Sequence, residues 1–439
     1  MKSSDLNERR ILSTLAKYRS VIFNSFWSLG GTVVPLVVAL ICIPLLLKLL
    51  GEEGFGFLAI AWMLVGYFSL FDFGIGRGLT YIVSRNLAKD IDSANVISSG
   101  LKVLFLLGLI VALLLFSLAD WIAHILVSDK SQPLLEYSQA LGVLAVAIPS
   151  VIVTAGIKGV LEANGRFRQI SLITIPMGSL MFIAPLVVAY QTTNMVLIFV
   201  SLVVVRVVQT ALFWINAKRN NFIKLEHGFS LDSLREVFVF SGWITISNVI
   251  SPLMAYMDRF IIGAKLGLEA VSFYVVPFDM ISRVKIVPRS IVSILFPHFT
   301  KVINSGERDE ALSLMKKAMV VIGGLLAIPL VTVAILSEFL LTLWIDADFA
   351  QASAEILRVL CVGFLFNCLA FVPFGYVQSL GRSDITAYLH LAELILYLPF
   401  LFYMLSAFGI YGAAIAWSAR VFVDFLLLLF MAYRVPRLM

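Results

Sequence analysis

The sequence predicts an all-α, polytopic membrane protein with twelve transmembrane helices arranged as two six-helix bundles. Three observations predict it: twelve helix-length apolar runs, basic residues concentrated on alternate loops, and a weak repeat of one half of the chain in the other. A helix needs about 20 apolar residues to cross the hydrocarbon core. The runs fall at 20–49, 57–76, 101–127, 137–160, 169–190, 195–216, 237–263, 271–297, 318–344, 353–380, 384–407 and 410–433. With the N-terminus inside, the inner segments carry 23 Lys/Arg; the outer loops carry three, Lys48, Lys130 and Lys265. That imbalance places both termini in the cytoplasm.

In chain order, residues 1–19 are polar and basic and read as a cytoplasmic interfacial segment. The apolar run that follows is too long for a signal-peptide core and lacks a small-residue cleavage site, so it is an uncleaved first span. The first six spans form an N-terminal bundle, 20–216. Residues 217–236 are a cytoplasmic linker, in which Ser230 to Leu234 read as an N-capped amphipathic start. The last six spans form a C-terminal bundle, 237–433, and 434–439 are a cytoplasmic tail.

At 60% hydrophobic and 14% charged, the chain is too apolar for a water-soluble domain of its length. The net charge of +6 follows the topology, which assigns it to inner loops and anionic lipid rather than to nucleic acid. Cys42, Cys361 and Cys368 all fall in spans without a CxxC pattern and read as buried small hydrophobes. No loop exceeds about 25 residues by these boundaries, which leaves no room for an extramembrane catalytic domain. Gly74-Ile75-Gly76-Arg77-Gly78 follows a span rather than a strand and lacks the Lys-Ser/Thr of a phosphate loop.

The repeat has an offset of 216 residues. Leu50-Gly51-x-Glu53-x-x-x-Phe57 returns as Leu266-Gly267-x-Glu269-x-x-x-Phe273, each between the first and second spans of its half. Trp27 returns as Trp243 and Arg85 as Lys301. Six spans per half is an even number, so the repeat is parallel, a pseudo-twofold along the membrane normal.

Charges inside spans are costly and mark function or internal pairing. The first half holds Asp72 and Arg206, with Arg77 at an inner border; the second holds Asp258, Arg259, Asp279, Arg283, Lys285, Arg289, Arg358, Glu393, Arg420 and Asp424. Asp279 and Arg283 share a helical face, which is read either as a local ion pair or as a substrate-facing pair. Arg358 pairs with Glu355 one turn earlier. Arg420 and Asp424 are at i, i+4, and Glu393 lies at similar depth, giving a structural ion cluster or a proton-coupling site. Lys285 and Arg289 have no acid at helical spacing and are the better substrate candidates. Arg283, Lys285, Arg289, Arg259, Arg206 and Arg77 thus form the candidate substrate set; Asp72, Asp258, Asp279, Glu393, Arg420 and Asp424 form the ion-coupling or structural set. Tyr274 and Phe278 are among the aromatics able to stack on sugars, against the commoner lipid-facing role. No metal or cofactor is expected, with proton or sodium coupling the open alternatives.

Leu49-Leu50-Gly51-Glu52-Glu53-Gly54-Phe55-Gly56 and Asp72-Phe73-Gly74-Ile75-Gly76-Arg77-Gly78 resemble the N-terminal signature of bacterial polysaccharide transporters. Asp258-Arg259-Phe260-Ile261-Ile262-Gly263 with Leu266-Gly267 resembles their seventh-span motif, and Gly409-Ile410-Tyr411-Gly412-Ala413-Ala414-Ile415-Ala416 the start of their last span. The resemblance covers essentially the whole chain. It implies the MATE-like fold of the multidrug and oligosaccharidyl-lipid exporter superfamily. It also implies alternating access that moves an undecaprenyl-diphosphate-linked oligosaccharide, such as an O-antigen unit, across the bacterial inner membrane. Membrane lipids are implied neighbours, and polysaccharide polymerase machinery is a further candidate partner. A cation-coupled multidrug exporter shares the fold and is the nearest rival; it would favour an acid-dominated cavity. A membrane polymerase or ligase would be expected to carry a large outer loop, which this chain lacks.

Overall fold

The computed structural model describes residues 2–126, 134–223, 254, 257–305 and 307–438. Among them every regular element is a helix: α1 (Lys2–Phe68), α2 (Ile75–Ala88), α3 (Ala94–Leu126), α4 (Leu134–Ala145), α5 (Ala147–Ala163), α6 (Phe167–Ala189) and α7 (Met195–Arg219). Then come α8 (257–266), α9 (Leu268–Ser282), α10 (Ile286–Asn304), α11 (Arg308–Ile335), α12 (Ser337–Trp344), α13 (Ala347–Ser379) and α14 (Ser383–Leu438). Short 3-10 turns, Ser69–Asp72 and Arg283–Lys285, join α1 to α2 and α9 to α10.

Eight helical stretches of the described residues are long and apolar enough to cross a membrane. Two of them carry a pair of expected spans each, because α1 turns at Gly51 and α14 at Gly409. The expected fourth span is α4 with α5, the eighth is α9 with α10, and the ninth is α11 with α12. The twelve-span expectation is compatible with this order. Most of the seventh span, and residues 224–236 of the linker with Ser230, lie outside the described residues. The first 19 residues continue helically into the first span rather than forming a separate element.

The helix breaks follow from backbone chemistry. Gly51 has φ 70° and ψ 174°, and its repeat partner Gly267 has φ 87° and ψ 172°. Positive φ is cheap only for glycine, so the repeated Leu-Gly-x-Glu folds into the same turn twice. At two other breaks side chains satisfy orphan helix donors: Asn194 Oδ1 accepts from Leu197 N–H at 3.1 Å, and Asp346 Oδ1 accepts from Phe349 N–H at 2.8 Å.

The described residues divide into two compact units. Unit 1 holds 2–50, 64–123 and 134–223; unit 2 holds 51–63, 124–126, 254 and 257 onward. In unit 1, α7 packs against α4, α5 and α6, and α5 against α2. The α2–α5 approach is backbone on backbone: a Cβ added to Gly159 would lie 2.3 Å from the Gly76 carbonyl oxygen. That is the service of the Gly74–Gly78 run, a close helix contact rather than an anion cradle. In unit 2, α13 is central, packed against α9, α10, α11, α12 and α14. Phe278 meets Phe364 and Trp417 edge to face, ring centroids 5.1 Å apart, and Phe364 is tilted on Trp417 at 4.5 Å. Cys42, Cys361 and Cys368 are free and buried, as their apolar setting implies.

Candidate functional site

Unit 1 uses its charges locally. Asp72 closes the 3-10 turn, and its carboxylate accepts from Gly74 N–H at 2.9 Å and Gly76 N–H at 3.1 Å, so it caps the start of α2. Arg77 is exposed one turn along and acts on Asp72 electrostatically. Arg206 on α7 donates to Gln209 Oε1 at 2.9 Å, and one turn on, Thr210 bonds Thr154 of α5 at 2.8 Å.

Unit 2 holds a larger polar interior. Asp258 is fully buried; it accepts from the Arg259 amide and from the Tyr274 hydroxyl, both at 2.8 Å. Arg259, 4% exposed, donates to Asp279 at 2.6 Å and lies 5.3 Å above the Phe278 ring. Tyr274 and Phe278 are themselves buried, so they serve this interior rather than an open sugar-stacking surface.

Two sequence expectations are corrected here. Asp279 pairs with Arg259, twenty residues earlier, and not with Arg283. The i, i+4 argument weighed only partners on the same helix, whereas Arg259 of α8 takes the Asp279 carboxylate and Arg283 stands exposed at the end of α9. Arg420 and Asp424 form no ion pair either. Arg420 donates to Met254 Sδ at 3.3 Å and covers the Tyr397 ring at 5.2 Å, while Asp424 lies 3.9 Å from His390 Nε2. Glu393 faces the same Asp424. Arg358 behaves as expected, bonded to Glu355, with Ser337 Oγ as a further partner at 2.9 Å.

Arg283, Lys285 and Arg289 remain without a carboxylate within 4 Å among the described residues. Lys285 Nζ sits 5.5 Å from the Phe364 ring centre and the Arg289 guanidinium 5.7 Å from that of Phe371. A ring face stabilises a cation while leaving its hydrogen-bond donors free. Arg289 also borders a cavity of about 170 Å³ with Asn367, Phe371, Phe374, His390 and Asp424. Sequence reasoning missed Phe364 and Phe371. Their seven-residue spacing puts them on one face of α13, but nothing local in the sequence pairs that face with Lys285 and Arg289.

The polysaccharide biosynthesis protein family matches residues 45–352. A Shigella flexneri protein named as a candidate O-antigen transporter is 32% identical over 411 residues, which cover 93% of this chain and 97% of the relative. Among solved structures, an inward-facing multidrug resistance MATE transporter superposes with TM-score 0.76 at 13% identity, covering 93% of this chain and 98% of that one. The lipid II flippase MurJ in its inward closed conformation gives TM-score 0.72 at 14% identity, covering 92% and 87%. The fold is that of the MATE-like exporters, a multi-pass helical membrane architecture. The chain belongs to the polysaccharide biosynthesis protein family, which matches most of its length.

Proposed function

We propose that this protein is a flippase that moves undecaprenyl-diphosphate-linked oligosaccharide units, O-antigen or a related surface polysaccharide, from the inner to the outer leaflet of the bacterial inner membrane. The observation that carries it is the near-full-length relationship to the candidate O-antigen transporter at 32% identity. Fold alone does not select this cargo, since multidrug transporters share it. The charge pattern supports an anionic one: among the described residues Arg283, Lys285 and Arg289 of unit 2 have no carboxylate in ion-pair range. A diphosphate would draw two or more charge-assisted hydrogen bonds from them in a medium of low dielectric. Both termini face the cytoplasm, as the basic loops require. Arg259 belongs to the same region but is neutralised by Asp279, and Arg77 and Arg206 lie in unit 1.

The return step is coupled to a proton or a sodium ion. The buried Glu393 and the part-buried Asp424 and His390 of unit 2 are the groups that would hold it, with Asp258 beside Tyr274 as a second acid. Deleting the gene tests the cargo. Lipid-linked oligosaccharide should accumulate with its glycan on the cytoplasmic side, and surface glycan should fall; unchanged surface glycan with a normal lipid-linked pool would overturn the assignment.

A further inference from the structure

The cavity inside unit 2 is walled by three helices. Arg289 comes from α10, Asn367, Phe371 and Phe374 from α13, and His390 and Asp424 from α14. The turn at Gly409 folds α14 so that His390 Nε2 and Asp424 Oδ1 come within 3.9 Å. Phe364, Asn367, Phe371 and Phe374 recur at three- and four-residue steps and so share one face of α13. On that face Phe364 seats Lys285 and Phe371 seats Arg289, with Asn367 between the two rings. Seven residues of helix set those seats about 10 Å apart.

The charge of this wall differs from that of the cation run beside it. Arg289 and Asp424 oppose each other, and Asn367 adds hydrogen-bonding capacity without charge. A phosphate gains little from a wall that pairs a guanidinium with a carboxylate, because the carboxylate repels what the guanidinium attracts. A lipophilic molecule would leave polar groups unmet, and burying them so is costly. Asp424 Oδ1 is buried with no hydrogen-bond donor, and the Asn367 amide makes no hydrogen bond among the described residues. His390 does not relieve Asp424, since 3.9 Å is beyond hydrogen-bond reach. Such a wall suits a neutral ligand rich in hydroxyl groups, which donate and accept alike. Phe371 and Phe374 offer apolar surface to its C–H face. The volume of about 170 Å³ fits a single ring, whereas sites for larger organic ligands start at roughly 300 Å³.

We propose that this cavity is a subsite for one sugar ring, the ring joined directly to the diphosphate of the cargo, with Asn367 reading its hydroxyl pattern. The proposal rests on the flippase reading and adds to it the part of the glycan that is recognised. Arg289 serves both sites: it borders the cavity and continues the cation run of Arg283 and Lys285. A diphosphate held by that run delivers its first sugar to Asn367. The rest of the oligosaccharide stays outside so small a cavity, so the subsite selects the first sugar and tolerates variety beyond it. Glu393 is not in the wall and keeps its role with the ion.

The test uses the full-length protein in lipid nanodiscs, with calorimetry as the readout. The probes share a farnesyl diphosphate group, capped with glucose, galactose, N-acetylglucosamine or, as the sugar-free reference of equal charge, a methyl ester. The parent should bind at least one glycosylated probe about tenfold or more tighter than the methyl ester. Asn367→Leu, close in volume, should cut that preference by about tenfold, the worth of one buried hydrogen bond left unmade. Lys285→Gln should weaken every probe and keep the preference. Asn367→Gln keeps the amide but moves it by one carbon, and should reorder the sugars; it decides the matter if the leucine variant loses the methyl ester as well. A parent that binds methyl ester and sugars alike, or Asn367 variants with the parent's preference and order, overturns the subsite and leaves the cargo assignment standing. A parent that binds no probe overturns both.

Discussion

Arg283, Lys285 and Arg289 carry the chemical argument at the scale of single residues. A charge at mid-bilayer depth costs roughly 2.5–3.5 kcal/mol on insertion scales, so three without neutralising acids need a use or a hydrated setting. The aromatic seats of Lys285 and Arg289 keep them in place while leaving donors free. Losing one charge-assisted hydrogen bond costs about 1.5–3 kcal/mol. We therefore expect Lys285→Gln and Arg289→Gln, at normal membrane abundance, to lower surface-glycan export by about tenfold or more, with Lys285→Arg retaining most of it. Lys130→Gln, in an outer loop, should leave export unchanged; equal export by all variants would remove these residues from the substrate path. Reading residues alone singled out Lys285 and Arg289, because absence of a helical-spacing acid is visible in one dimension. It did not find the Arg259–Asp279 pair or the aromatic seats, since those partners come from different helices. It also mispaired Asp279 with Arg283, because the Arg259 that takes the carboxylate lies twenty residues earlier on another helix.

The helices themselves were legible where composition forces them. Apolar length anticipated the eight helical stretches long and apolar enough to cross a membrane, and the repeat located the Gly51 and Gly267 turns, which prove to have matching backbone angles. What composition hides is the cost of contact. Gly76 and Gly159 look like ordinary small residues, yet they bring α2 and α5 together at backbone distance. Gly159→Ala should destabilise by about 1–3 kcal/mol through overpacking, read as a lower thermal midpoint in detergent. Gly324→Ala, whose added methyl meets nothing within 4 Å, should not lower it. At Gly267 the φ of 87° is the obstacle, and Gly267→Ala should cost about 1–2 kcal/mol of backbone strain with no clash needed. Equal midpoints for Gly159→Ala and Gly324→Ala would show that the α2–α5 approach is looser than it looks.

On the scale of the whole molecule the account joins topology to transport. A bias of 23 inner to three outer basic residues is the basis of the proposed orientation. Single cysteines at Ser230 and Asp348, in the cysteine-free background, should label from opposite sides with an impermeant thiol reagent; labelling from one side would break the twelve-span topology. The division into units could not be read from the linear halves. The turn after the first span and the end of the third belong with unit 2, because close packing around Gly56 and Gly263 ties them there. Lipid-linked cargo is the claim on which the rest depends, and it is measurable with purified protein. Reconstituted into liposomes with an undecaprenyl-diphosphate oligosaccharide in both leaflets, the protein should expose inner-leaflet glycan to an external glycosidase, while Lys285→Gln with Arg289→Gln should not. Cleavage that stops at the outer-leaflet fraction, equal to protein-free liposomes under an imposed proton or sodium gradient, would contradict it.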